Sequence, residues 1–122
     1  MKGTPDPSSG TKNDLATWVR RTTDLLGNGP VLAEVRKCQV ETERASHIAK
    51  PDAFQNAQYA AGRAVTMMQG AMNLIAKQAE LLPDQREAML APWKDLYELA
   101  VICVHNLSTL PEEMRAWRAG KE

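Results

Sequence analysis

Aromatic residues are scarce in this chain. They make up 5% of its 122 residues: one Phe, two Tyr and three Trp. A core built from it must therefore be filled mainly by Ala, Leu, Val and Met. Charge of one sign is lacking too, because fifteen basic residues meet fifteen acidic ones. That balance argues against non-specific binding to nucleic acid or to an anionic membrane surface as the main job. No apolar run approaches the ~20 residues of a transmembrane helix. The first residues hold no apolar segment of the signal-peptide kind. The two cysteines, Cys38 and Cys103, fall in apolar helical rows, which suits two reduced, buried thiols better than a disulfide. Together these features set the expectation of a cytoplasmic protein. No strand-like alternation occurs anywhere.

What is present is helical periodicity in a chain with 43% hydrophobic residues. Phe54, Ala57, Ala61, Ala64, Met68, Met72, Ile75, Ala79 and Leu82 recur at steps of three and four, one face of a helix. A second row runs Ala60, Met67, Ala71, Leu74 and Leu81. Between residues 52 and 82 only Asp52, Arg63, Lys77 and Glu80 are charged. Two apolar rows with few charges predict one long central helix, about 52–82, covered on more than one side. Unbroken, it would measure about 45 Å at 1.5 Å per residue. A compact domain of this size is only about 35 Å across, so the bundle should be elongated, kinked, or covered at its excess by a second copy. Gly62, Thr66 and Gly70 form a row of small residues, which suggests close approach of another helix.

Around that helix the chain reads as follows. Residues 1–13, MKGTPDPSSGTKN, are rich in Pro, Ser and Gly without periodicity and read as a disordered N-terminal arm. Residues 14–122 read as a single helical domain. A first helix runs to about Leu26 and ends at Gly27-Asn28-Gly29-Pro30. A second, about 30–49, carries Val31, Val35, Cys38, Thr42, Ala45 and Ala49 as a narrow seam. After Leu82-Pro83-Asp84 the prolines divide the rest: a short helix 84–90, a main helix 93–107 after Pro92, and a short helix 110–119 opened by a capping box from Thr109 to Glu112. The fold class is thus all-α, an elongated bundle of about four main helices plus one or two short ones.

Three functional readings follow. His47-Ile48-Ala49-Lys50 resembles the His-x-x-Lys core of histidine phosphotransfer domains. The resemblance implies a four-helix bundle in which His47 accepts a phosphoryl group and Lys50 offsets its charge. The match spans four residues and departs at Pro51, where a small residue usually follows. A second reading is nucleic-acid binding through Arg20, Arg21, Arg36, Lys37 and Arg44, although acidic residues are interleaved among them. No ligand-spaced set of His, Cys or carboxylates suggests a metal, and no cofactor motif or catalytic triad stands out.

The favoured reading is a non-catalytic protein–protein interaction module: an adaptor, small regulator or inhibitor whose partner is another protein. A homodimer through the long helix is the related arrangement. Its candidate contacts are the two Trp-Arg clusters, Trp18 with Arg20 and Arg21, and Arg115 with Trp117 and Arg118. Trp and Arg are enriched in binding hot spots, and an up-down-up-down topology would bring the two chain ends together.

Overall fold

The computed structural model describes residues 6–48, 50 and 52–121. The first five residues of the expected arm, Ala49 at the expected end of the second helix, and Pro51 lie outside the described residues. Four helices follow one another: α1 (Ser8–Leu26), α2 (Pro30–Ala45), α3 (Gln55–Ala76) and α4 (Pro83–Lys121). No strand occurs among the described residues, and none of the helices is long and apolar enough to cross a membrane. Each helix packs on its neighbours in the cycle α1–α2–α3–α4–α1, and the diagonal pairs stay apart. The fold is an antiparallel four-helix bundle.

The first row of the central helix is buried as its spacing predicts only as far as Met68, and the second row is not covered as expected, since Met67 and Leu74 are exposed, as are Ala79 and Leu82 at the end of the first. Leu15 and Trp18 of α1, Val35 and Cys38 of α2, Ala57, Ala60, Ala61, Ala64 and Met68 of α3, and Leu96, Ala100, Cys103 and Leu107 of α4 are buried in one cluster. Phe54, Ala45, Leu110 and Met114 form a second cluster at one end, with Trp117 packed against it. Gly27 adopts φ 65° at the end of α1, a conformation that favours glycine, and its N–H returns to Thr23.

Four expectations need correction. First, the arm is not a loop throughout, because α1 begins at Ser8. Asp6 Oδ1 accepts hydrogen bonds from the Ser8 N–H at 2.8 Å and the Ser8 hydroxyl at 2.7 Å. An Asp before Pro is a start signal, and the Pro, Ser and Gly content of the segment masked it. Second, α3 is shorter than 52–82 at both ends, and α2 stops at Ala45.

Third, the segments 84–90, 93–107 and 110–119 are one helix of 39 residues, with Pro92 and Pro111 inside it. A proline removes the hydrogen bond to the carbonyl four residues earlier. For Pro111 that carbonyl is Leu107 O, which instead accepts the Gln58 Nε2–H of α3 at 2.9 Å. For Pro92 it is that of Ala88, an exposed residue whose carbonyl is within reach of solvent. Thr109 consequently lies mid-helix, with its hydroxyl donating to Asn106 O rather than capping an N-terminus. The longest element is α4, about 58 Å at 1.5 Å per residue. Fourth, Gly62 and Gly70 are exposed, and a Cβ at either would meet nothing within 4 Å. No helix approaches closely there.

Two predictions follow from these corrections. Gln58→Leu should destabilise the fold by about 1–3 kcal/mol, because it leaves Leu107 O without a donor. In a Pro111→Ala background the helix supplies its own N–H, so the same substitution should cost clearly less in denaturant melts. Gly70→Ala should stabilise by about 0.5–1 kcal/mol, since alanine is the better helix former in open space. A lowered melting temperature for Gly70→Ala would show that the exposed face is covered in solution.

Candidate functional site: an uncovered overhang of α3 and α4

The four helices differ in length, and cross-bundle bonds show where each one stops. Asn106 Nδ2 donates to Asp14 Oδ2 at 2.8 Å, which sets α4 level with α1. Twelve residues up α1 from Asp14 is its end, Leu26, and twelve residues back along α4 from Asn106 is Lys94. Arg63 Nε donates to Glu34 at 3.0 Å between α3 and α2. Pro30, four residues before Glu34, therefore lies level with Met67. Gln69 Nε2 donates to the Tyr97 hydroxyl at 2.9 Å, joining α3 to α4 at the same height. Beyond that level α1 and α2 have turned back through Gly27-Asn28-Gly29, while α3 and α4 continue. The first eleven residues of α4, 83–93, rise about 17 Å past the α1–α2 turn.

This overhang has a built tip. Arg86 donates to Gln78 O at 2.7 Å and to Leu81 O at 3.3 Å. The Leu82 N–H donates to Gln85 Oε1 at 3.0 Å, which caps the start of α4. Yet no residue in 69–95 is buried. The rows that are sealed lower down run straight into it. On α3 the row through Ala64 and Met68 continues to the half-buried Met72 and Ile75. On α4 the row through Leu96 and Ala100 continues back to Met89, 46% exposed. Leu74 and Leu82 are 69% and 65% exposed, the highest values among the large apolar side chains. Val101, Ile102 and Val104 are also exposed, but they lie on the side of α4 away from its buried row. An open groove of about 560 Å³ lies at the foot of the overhang, between α1 and α4, lined by Arg21, Asp24, Leu25, Pro92, Asp95 and Glu98 among others.

The Trp-Arg clusters do not form one surface. Trp18 is fully buried in the main core, so it offers no ring to a partner, and its indole N–H has no hydrogen-bond partner among the described residues. Trp117 is half-buried against the second core cluster. Trp18 lies four residues above Asp14 and Trp117 eleven residues below Asn106, so the two stand about 20 Å apart along the bundle axis. The termini do return to one end, as the topology requires, but Trp18 sits midway along α1. Arg20 and Arg21 are exposed, and Arg21 lines the same groove as Asp24, Asp95 and Glu98. Arg115 is exposed and 3.9 Å from Glu112. Arg118 has an internal task. Its Nη1 and Nη2 donate to Ile48 O at 2.6 Å and Ser46 O at 2.7 Å, carbonyls left open just past the end of α2.

His47 lies in the turn after α2 rather than mid-helix. Its Nε2 is 3.3 Å from Glu43 Oε1. The bonds from His47 and from Lys12 hold the Glu43 carboxyl below its usual range. Arg36, Lys37 and Arg44 are exposed on α2, and Arg44 pairs with Glu41 on the same helix. Cys38 and Cys103 are free and fully buried. Burial pushes both thiols up to about 12, so neither is a nucleophile near neutral pH. Among the described residues no group of three or more His, Cys, Asp or Glu is placed to hold a metal ion.

The overhang was legible only in part. An elongated bundle was expected, but the excess length was placed in the central helix, whereas it belongs to α4. That α4 carries most of it was hidden by Pro92.

No protein-family model matches this sequence, and no curated protein and no solved structure matches it.

The role of Arg118 is testable by melting. Arg118→Ala should destabilise by about 1–2 kcal/mol, because two charge-assisted hydrogen bonds to open carbonyls are lost. Arg20→Ala and Arg21→Ala should each change stability by less than about 0.5 kcal/mol. Equal, small effects in all three variants would show that the Arg118 clamp does not hold in solution.

Proposed function

We propose that the chain is a non-catalytic protein–protein interaction module, an adaptor, small regulator or inhibitor, which docks through the overhang of α3 and α4. One observation carries this reading. The apolar rows that make the bundle core continue for about two turns past the point where α1 and α2 stop covering them. Scattered apolar side chains are normal on a protein surface, whereas a contiguous apolar strip on a built scaffold marks a contact site. Ile75 and Met89 are the anchors, because they continue the core rows into water, and the exposed Leu74 flanks them.

A helical segment is the partner shape that fits, since two antiparallel helices present a groove of the kind that α1 and α2 fill lower down. The reading replaces the Trp-Arg surface with one in which arginine plays a minor part.

The test is co-purification from the native host with the tagged chain. Leu74→Glu combined with Met89→Glu should abolish recovery of the partner and leave the melting temperature within a few degrees of the parent, since both positions are open to solvent. Undiminished recovery by this variant would reject the overhang as the docking surface.

A further inference from the structure

We propose that copies of this chain pair side to side, the outer face of α2 in one copy against the outer face of α4 in the next, so that they form rows in which every copy points the same way.

Charge is the first argument. The net charge of zero conceals a separation. On α2 the exposed charged side chains are Arg36, Lys37 and Arg44 against Glu43 alone. Glu34 and Glu41 are half-buried and paired with Arg63 and Arg44, and Glu43 is paired with Lys12. Arg36 and Lys37 have no ion-pair partner among the described residues. From Lys94 to Glu113, α4 carries that one lysine against Asp95, Glu98, Glu112 and Glu113, all exposed. Glu112 has Arg115 at 3.9 Å, and Arg21 shares a groove with Asp95 and Glu98. Asp95, Glu98 and Glu113 nonetheless have no ion-pair partner among the described residues. The helices α2 and α4 are a diagonal pair of the bundle, so their solvent faces look in opposite directions. A two-fold contact through either face would set like charges together, whereas a contact between the two faces sets opposite charges together.

Register is the second argument. The Lys12–Glu43 ion pair sets α2 against α1, and the bond from Asn106 to Asp14 sets α4 against α1. Glu43 therefore stands level with Ser108, and in an antiparallel bundle α2 and α4 run in the same direction. Two copies side by side at equal height bring Arg36 and Lys37 within about 6 Å of Glu98 along the axis, and Arg44 within about 6 Å of Glu112 and Glu113. Val40, 55% exposed, comes equally close to Val101 and Ile102, 46% and 49% exposed. Cations meet carboxylates and apolar meets apolar with no shift along the axis. Lys94 falls at the level of Gly29, past the last of these cations.

A contact between two different faces is not closed by two copies, so each row keeps a free face at both ends and can grow. One exposed helix face per copy is a small contact of the weak class, and growth needs high concentration. Copies related by translation hold their overhangs along one edge, which offers a partner several docking strips at once. The pairing itself does not depend on that docking reading.

Analytical ultracentrifugation of the full chain, at about 10–500 µM in about 20 mM salt, supplies the test. The weight-average mass should climb past twice 13.5 kDa as concentration rises, and fall back towards the monomer in about 0.5 M salt. Arg36→Glu with Lys37→Glu should weaken association about tenfold or more, as should Glu98→Lys with Glu113→Lys, because each sets like charges face to face. Mixing these two variants should restore assembly, since each supplies the sign that the other lacks. Leu74→Glu with Met89→Glu should assemble as the wild type does, because the overhang takes no part in this contact. Circular dichroism and melting temperature serve as folding controls for every variant. A wild type that stays monomeric, or that stops at a dimer, overturns the proposal. So does undiminished association in either charge variant, a mixture that stays monomeric, or loss of assembly in the Leu74 and Met89 variant.

Discussion

The hydrogen bond from Gln58 to the Leu107 carbonyl is the contact on which the architecture turns. A proline in mid-helix strips one carbonyl of its donor, and a buried carbonyl without a donor is costly. Gln58 supplies that donor from the neighbouring helix. With it, α4 runs unbroken through Pro111, and one rigid element spans the molecule. Its far end carries Arg118 to the end of α2, where the guanidinium clamps Ser46 and Ile48. Its near end carries residues 83–93 beyond the reach of α1. The closed end and the open end of the bundle both depend on the continuity of α4.

The two ends differ in how polar groups and apolar rows are settled. At the closed end Asp6 caps α1, Arg118 caps the turn after α2, and Phe54, Leu110 and Met114 form their own small core. The Asp6 carboxyl is raised by burial, but the bonds from Ser8 outweigh this and hold it below its usual range, with help from Lys12 and Arg118. At the open end the backbone is just as well tied, through Arg86 and Gln85, while the apolar rows are left in water. An end that is ordered yet unsealed has the character of half an interface.

Much of the fold was legible because periodicity and punctuation are local. The row Phe54, Ala57, Ala61, Ala64 and Met68 is buried as its spacing required. Gly27 to Pro30 marks the first turn where the structure has it. What was not legible depended on partners far away in sequence. Nothing near Pro111 announces that Gln58, more than fifty residues earlier, will accept the role of the missing N–H. Gly62 and Gly70 look like a packing seam until the neighbouring helices are seen to lie on other faces. Of the expected contacts, Trp18 has the composition of a hot spot and the position of a core residue, and residue type alone does not separate the two. The overhang escaped a residue-by-residue search because it arises from unequal helix lengths, which no motif records.

The pairing of α1 with α4 also bears on how the chain is made. Asp14 and Asn106 are 92 positions apart. While the polypeptide is still emerging from the ribosome, α2 and α3 are adjacent and free to associate, but the side of α1 that carries Leu15 and Trp18 has nothing to close against. Non-local closure is slow and leaves apolar surface open in the meantime. Until α4 has been made, the chain is a set of helices with an unsealed seam, and Asn106 must have left the ribosome before it can reach Asp14.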